Sequence, residues 1–215
     1  MRKIIVSLLF VTFFAFNLNA ESHYKAGTTS CQILEISPGV RASAMGGAFL
    51  AVSDDIGAIY SNPAGLTQID TIQVSGGSHQ LFQDIKHYYS GIIYPLDDIY
   101  AANIKDMGTI GASYSQLDMG RIQGRDSGGN ESGTFVPRDQ LFTISYAKTF
   151  GEKLSIGCNT SYVLQRVAGY KLNVFAFDIG TLWQTPVDGL NIGLVARNIG
   201  TKLVSQEQET NMSYR

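Results

Sequence analysis

The sequence has little cysteine, no excess of basic residues and no long apolar run after residue 20, and each shortage excludes a class of protein. Two cysteines, Cys31 and Cys158, exclude a scaffold held by many disulfides. They form either one bridge or two unpaired thiols, and the different character of their segments favours unpaired thiols. Sixteen Lys and Arg against 18 Asp and Glu give no basic face for nucleic acid. Without about 18 consecutive apolar residues, no transmembrane helix is predicted in this part.

The N-terminus predicts export. Arg2 and Lys3 precede an apolar run over residues 4–16, and a small residue, Ala20, follows. This order is typical of a secretory signal peptide over residues 1–20, with cleavage after Ala20. The run is too short to span a bilayer, which takes about 20 residues as a helix. Cleavage would leave 14 basic residues against 18 acidic ones.

What the chain has in abundance is glycine and aromatic residues, 23 glycines with 11 Phe, 11 Tyr and one Trp. From about Thr71 onward, apolar residues alternate with small polar ones, which predicts strands. A transmembrane strand needs only about 10 residues, and only every second one is apolar. The pattern predicts an all-β protein, an antiparallel transmembrane β-barrel over residues 69–215 of which about seven strands are present. Those strands are predicted near residues 72–77, 88–95, 110–115, 142–147, 154–162, 175–183 and 190–197.

A soluble β-sandwich also alternates and is the competing interpretation. Three features favour the barrel: small polar residues on the second face, segments longer than the usual 5–6 residues, and aromatic residues at the segment ends. The tight turns near residues 151–152 and 186–189 fit the periplasmic side, and the long polar stretch 118–139 fits an outside loop. The connection 96–108 is long for a periplasmic turn.

Residues 32–68 lack the period of two and predict a compact helical plug, assigned to residues 21–68. Asp54 is a predicted N-cap of a short helix over residues 55–61. Asn62 precedes Pro63, so Asn62 leaves the helical region and caps a second turn that Pro63 begins and Gly65 ends.

This stretch carries a resemblance to a known family. "GVRASAMGGAFLAVSDDIGAIYSNPAGL", residues 39–66, closely resembles the N-terminal segment of PorV-like outer-membrane proteins, within the wider FadL-like group of long-chain fatty-acid transporters. Later pieces, such as "TFVPRDQLFTISYAKTFGEKLSIGCNTSYV" and "FAFDIGTLWQTPVDGLNIGLVARNIG", are similar too. The resemblance implies a hatch inside a barrel of about 14 strands. It places the hatch motif at Arg41, Met45, Gly46, Gly47, Asp54, Asp55, Asn62, Pro63 and Gly65.

Seven strands with open edges cannot face lipid, because each unpaired backbone group there costs several kcal/mol. The expectation is therefore the N-terminal half of a barrel, as a fragment, a split gene or a half-barrel closed by oligomerisation.

Other motifs have plainer explanations. "GRDSGG", residues 124–129, is similar to a serine-protease nucleophile loop, but His23, His79 and His87 lie in no matching context, and a flexible outside loop fits better. Asp54 and Asp55 are a candidate metal or acid–base pair, but a helix cap at Asp54 and a favourable helix dipole at Asp55 are the favoured explanation. We expect His79 and His87 in solvated loop positions rather than in a lumen. Asp178 and Arg197 are predicted on the inner face, paired with each other or with Arg41 and Asp55.

Two functions remain open. The first is passage of hydrophobic compounds such as long-chain fatty acids across the bacterial outer membrane, with residues 45–47 and the Asn62–Pro63 elbow as movable parts. The second, which the resemblance implies, is an adaptor or structural role in protein secretion. Neither needs an enzyme activity, a cofactor or a metal. The predicted partners are outer-membrane lipid and either hydrophobic small molecules or secreted proteins.

Overall fold

In the computed structural model, the described residues are 31–96, 107–167 and 170–200. Their main element is one antiparallel sheet of seven strands in the order β1-β2-β3-β6-β7-β8-β9. The prediction of an all-β chain is therefore confirmed. The strands are β1 (Gln73–Gln80), β2 (Lys86–Pro95), β3 (Thr109–Asp118), β4 (Ile122–Arg125), β5 (Glu131–Phe135), β6 (Arg138–Phe150), β7 (Leu154–Val167), β8 (Tyr170–Gln184) and β9 (Asn191–Gly200). The predicted signal peptide and residues 201–215 lie outside the described residues.

All seven predicted segments are strands, and each pairs with its neighbour along the sheet. The register keeps like residues together: Tyr114 lies opposite Phe142, which lies opposite Tyr162. The strands continue beyond the alternating segments, since β7 extends to Val167 rather than Tyr162. Backbone pairing with β6 and β8 continues through Gln165 and Arg166, although these side chains break the apolar alternation.

The predicted outside loop over residues 118–139 is wrong in part, because it contains a second, two-stranded sheet formed by β4 and β5. Its turn is held by Asp126, whose carboxylate accepts hydrogen bonds from the backbone N–H groups of Asn130 (2.8 Å) and Gly128 (2.9 Å). The Asn130 side chain donates another at 3.2 Å. These donors lower the pKa of Asp126, those of Asn130 first. The "GRDSGG" stretch is thus an ordered hairpin turn.

Residues 31–69 precede the sheet and are here called the N-terminal segment. It contains two short α-helices, α1 (Val40–Ala44) and α2 (Ala58–Ser61). It also contains two 3-10 helices, Gln32–Leu34 and Pro63–Gln68. Its buried side chains, among them Ile33, Ile59 and Leu66, pack together with buried sheet residues such as Ile93 and Leu141. No helix of the described residues is long and apolar enough to cross a membrane.

Two details of the predicted helical turns are corrected. The helix predicted over residues 55–61 is α2, which begins at Ala58 rather than residue 55, and Asp54 does not cap it. Instead Asp55 Oδ1 accepts a hydrogen bond from the Gly57 N–H at 2.7 Å, which forms a turn ahead of the helix. The predicted cap at Asn62 is confirmed, since its Oδ1 accepts from the Ala64 N–H at 3.1 Å with Pro63 in the first position. Gly65 lies within that 3-10 helix and does not end it.

Both cysteines are free, as favoured from the sequence. Cys31 is buried at the start of the N-terminal segment, where burial, and then the charge of Asp139, raises the pKa of its thiol. Cys158 is exposed on β7.

Candidate functional site

The sheet has two faces of opposite composition. The N-terminal segment lies against one of them, called the covered face, where many Gly, Ser, Thr and Asn residues lie among buried apolar side chains such as Leu141 and Val163. The other, called the open face, presents apolar side chains with nothing over them among the described residues. Val74 is 75% exposed, Ile144 69% and Leu194 68%. A sheet in water normally exposes polar side chains on its uncovered face, so this open face with its many exposed large apolar side chains is unusual.

Glycines on the covered face let the N-terminal segment touch the strand backbone. Gly157 of β7 lies directly opposite Gly180 of β8 in the register. A Cβ atom at Gly180 would overlap the side-chain oxygen of Asn62, and one at Gly157 would lie 2.5 Å from the backbone nitrogen of Ala64. Real Cβ atoms do not approach so closely, so both positions require glycine with this segment in place. We call this pair the glycine seat.

Asn62 is the best connected residue of the N-terminal segment. It is fully buried, and its Nδ2 donates to the Leu50 carbonyl at 2.8 Å and to the Thr181 carbonyl of β8 at 3.1 Å. With the cap to Ala64, one side-chain amide therefore joins three parts of the molecule. Gly65 is also closely packed, because a Cβ there would overlap the carbonyl of Ser53.

Arg41, Asp54 and Asp55 meet on the exposed side of the N-terminal segment. One guanidinium nitrogen of Arg41, Nη1, lies 2.6 Å from Asp54 Oδ1 and 2.8 Å from Asp55 Oδ2. Its carbon Cζ lies 5.2 Å from the centroid of the Phe49 ring. Hydrogen bonds to Asp54 and then Asp55 raise the pKa of Arg41. The two adjacent acids thus share one base, which explains their pairing without a metal or a catalytic role.

Met45, Gly46 and Gly47 form a turn that projects from the segment. Gly46 and Gly47 have φ angles of 62° and 82°, a region that favours glycine. A Cβ at either glycine would meet nothing within 4 Å, and Met45 is 43% exposed. The backbone conformation of the turn therefore favours glycine at these two positions, whereas close packing requires it in the glycine seat.

Asp178 and Arg197 both lie toward the covered face, but the predicted pairings are wrong. Asp178 accepts from Asn159 Nδ2 at 2.9 Å and from the backbone N–H of Asn198 at 2.8 Å. Arg197 Nη2 donates to the carbonyl of Leu34 at 2.9 Å. An irregular register between Phe177 and Ile179 interrupts the pairing of β8 with β9 next to Asp178. Each charge therefore meets amide groups rather than an opposite charge.

His79 and His87 were expected in loops, and this expectation is wrong. Both lie within strands, directly opposite each other on the covered face, because the β1–β2 turn comes between them at residues 81–85. His87 Nδ1 lies 3.0 Å from His79 Nε2, and His87 Nε2 is hydrogen-bonded to Ser115 Oγ. This series of hydrogen bonds, His79 to His87 to Ser115, resembles the arrangement of a serine nucleophile and its base. However, His87 is fully buried and Ser115 is 1% exposed, so a substrate does not reach them in this structure.

A cavity of about 520 Å³ opens between the N-terminal segment and the edge strand β1. Charged and polar groups, including Arg41 and Asp55, share its wall with apolar side chains. The apolar part of the lining comes from both elements and includes Val40, Ile56, Tyr60, Ile72, Val74 and Tyr89.

Comparison with protein-family models and with curated proteins finds no match for this chain. The resemblance of residues 39–66 to the PorV-like and FadL-like proteins therefore stays a prediction.

Proposed function

We propose that the sheet is part of the wall of an outer-membrane β-barrel, with the open face toward lipid and the N-terminal segment as an internal plug. The observation that carries this proposal is the large number of exposed apolar side chains on the open face. Large apolar side chains are costly in water by about 1.5–3 kcal/mol each, and hydrocarbon removes that cost. The small polar side chains lie where a plug covers them.

The dimensions of the open face support the same proposal. On β7 the apolar side chains of the open face extend from Leu154 to Leu164. At about 3.4 Å per residue this is roughly 34 Å along the strand, and the usual tilt of about 35–45° reduces it to roughly 24–28 Å across the membrane. Transmembrane barrels carry an apolar band of about 25 Å between aromatic girdles. Aromatic side chains occur near both ends of this band, including Phe150 and Trp183 at one end and Phe142, Tyr162 and Phe175 at the other.

Within such a wall, we propose passage of hydrophobic compounds, with long-chain fatty acids as the substrate class. The cavity beside β1 supports this function, because apolar side chains of the N-terminal segment and of the open face meet there. The many contacts of Asn62 argue that the Asn62–Pro63 elbow is an anchor. In this proposal the projecting turn at residues 45–47 is the part that moves.

A second candidate is an adaptor role in protein secretion. It is favoured by the anchored plug and by the β4–β5 hairpin, which extends from the sheet between β3 and β6 with Ile122 exposed. A hairpin of this kind is a surface that a secreted protein can contact without any passage through the wall.

Uptake of a labelled long-chain fatty acid, in cells with and without the gene, separates the two candidates. Val40→Trp narrows the cavity and is expected to lower uptake. Val52→Trp makes the same change at another exposed position of the N-terminal segment, outside the cavity lining, and is the control. If removal of the gene leaves uptake unchanged but secreted proteins no longer attach to the cell surface, the adaptor role replaces transport.

A further inference from the structure

One end of the open face carries a row of four bases and one acid. The register places Lys86 opposite Asp118, Asp118 opposite Arg138, Arg138 opposite Arg166, and Arg166 opposite Lys171. These five residues from five adjacent strands are called the basic rim row. Side chains alternate along a strand, and the covered-face neighbours of this row are buried, namely His87, Leu117, Asp139 and Gln165. The rim row therefore points to the open face.

The charges of the basic rim row are not balanced within the protein. Asp118 pairs with Arg138 through a 2.6 Å contact between Oδ1 and Nε. Arg166 lies between two other bases, Arg138 and Lys171. In the part of the chain that the structure describes, neither Arg166 nor Lys171 has an ion pair. Like charges directly opposite each other destabilise a sheet, so an anion over this row would stabilise it.

The position of the row fits one source of anions. Along β7, Arg166 is two residues beyond Leu164, the last apolar side chain of the open face, which is about 7 Å at the usual rise of a strand. Tyr162 belongs to an aromatic row in which Tyr114 contacts Phe142 and Tyr162 contacts Phe175, with centroids 4.9 and 4.7 Å apart. The bases thus lie just past the end of the apolar band, at the level of lipid headgroups. At the opposite end, Lys148 is the one base of the described strands on the open face.

We propose that the basic rim row binds phosphate groups of anionic lipids in the leaflet that surrounds this end of the sheet. The inference rests on the proposed membrane position. Arginine binds phosphate oxygens through two parallel N–H donors, and a row of bases on adjacent strands contacts several headgroups at once. The row is an exposed surface continuous with the apolar face, and this geometry suits a headgroup whose acyl chains cover that face.

The test uses the full chain folded into vesicles, either of phosphatidylcholine or of phosphatidylcholine mixed with anionic phosphatidylglycerol. The readout is the equilibrium constant for unfolding by urea. The wild-type chain is expected to be more stable in the anionic vesicles. In the double variant Arg166→Gln with Lys171→Gln, the ratio between the unfolding constants in the two kinds of vesicle is expected to shrink roughly fivefold per base removed. In phosphatidylcholine alone the double variant is expected to be no less stable than the wild type, because a repulsion is removed.

The matched control is Lys148→Gln with Lys153→Gln, which removes two bases at the opposite end of the strands. It is expected to keep the preference for anionic vesicles. An equal loss in the control would mean that net charge matters and would overturn the inference. So would reproduction of the stabilisation by millimolar inorganic phosphate in phosphatidylcholine.

Two results separate this inference from the proposed function. A chain that inserts and folds in phosphatidylcholine, but shows no preference for phosphatidylglycerol, overturns the lipid-binding row and leaves the membrane position intact. A chain that inserts into neither kind of vesicle overturns both.

Discussion

The two faces of the same sheet are built under different constraints. The covered face is fitted to particular neighbours: Gly180 lies against Asn62, and Gly157 against Ala64. The open face repeats large apolar side chains, many of them 38–75% exposed, and the ring contacts among them join neighbours on that same face. A face that fits one neighbour tolerates little change, whereas a face that contacts a fluid depends on polarity alone. Substitutions on the two faces should therefore fail for different reasons.

The largest effect is expected on the covered face, at the glycine seat. Gly180→Val places methyl groups where Asn62 lies, and the N-terminal segment cannot dock without displacement of its anchor. We expect a loss of about 3 kcal/mol in the free energy of unfolding, measured by urea titration in vesicles. Ile179→Val, one position away on the open face, is the control and should change stability little. Equal losses for both variants would mean that the two faces are under the same constraint.

A charge on the open face tests what covers that face. Ile144 is 69% exposed and lies in the middle of the apolar band. Ile144→Arg is expected to cost about 2–4 kcal/mol if lipid surrounds this position. The same change at Ile122, on the β4–β5 hairpin, should be close to neutral. If Ile144→Arg is also neutral in vesicles, the open face is in water and the proposed wall is wrong.

The third variant removes the anchor while it keeps the glycine seat. Asn62→Ala deletes two donors and one acceptor in a fully buried position and leaves the carbonyls of Leu50 and Thr181 without these bonds. We expect a loss of about 2 kcal/mol, with earlier proteolysis of the N-terminal segment. Asn173→Ala, at an exposed position of the open face, should change stability by less than about 0.5 kcal/mol. An intact segment in Asn62→Ala would show that packing alone holds it.

The smallest effect concerns pH. Burial, with the charge of Asp139, raises the pKa of Cys31 above its unfolded value. The thiol therefore contributes stability that is present below the ordinary cysteine pKa of about 8.5 and is lost as the pH rises through the higher folded value. Unfolding midpoints from neutral to alkaline pH should fall more for the wild type than for Cys31→Ala. Cys158→Ala, on the open face, should follow the wild-type curve.

The sequence alone predicts what depends on alternation. Every second residue of a strand faces one side whatever the strand packs against, so the seven strands and the apolar open face follow from the pattern. The β4–β5 hairpin has no such alternation, and its turn depends on Asp126, one side chain that satisfies several local donors. From the sequence alone, a Gly-rich polar stretch of this kind predicts a loop.

The candidate site was predictable only where its bonds are local. The Asn62 cap spans two residues and follows from the Asn-Pro pair. The glycine seat requires knowing that Gly157 lies opposite Gly180, and the His79–His87 contact requires the register of a hairpin. The sequence shows small residues and histidines at these positions, but their partners are set by long-range pairing. The position of Asp178 depends in the same way on an irregularity between β8 and β9 that has no marker in the sequence.

The bond between Asn62 and the carbonyl of Thr181 joins positions 119 residues apart. Such a contact closes late, because the intervening strands must first be laid side by side. The portion of the chain that leaves the ribosome early is therefore among the last to find its place. Until β2 and β6 are in place, Ile59 and Leu66 of this segment lack the buried residues Ile93 and Ala147 that they pack with. While the sheet is incomplete, these apolar side chains stay open to association with other molecules.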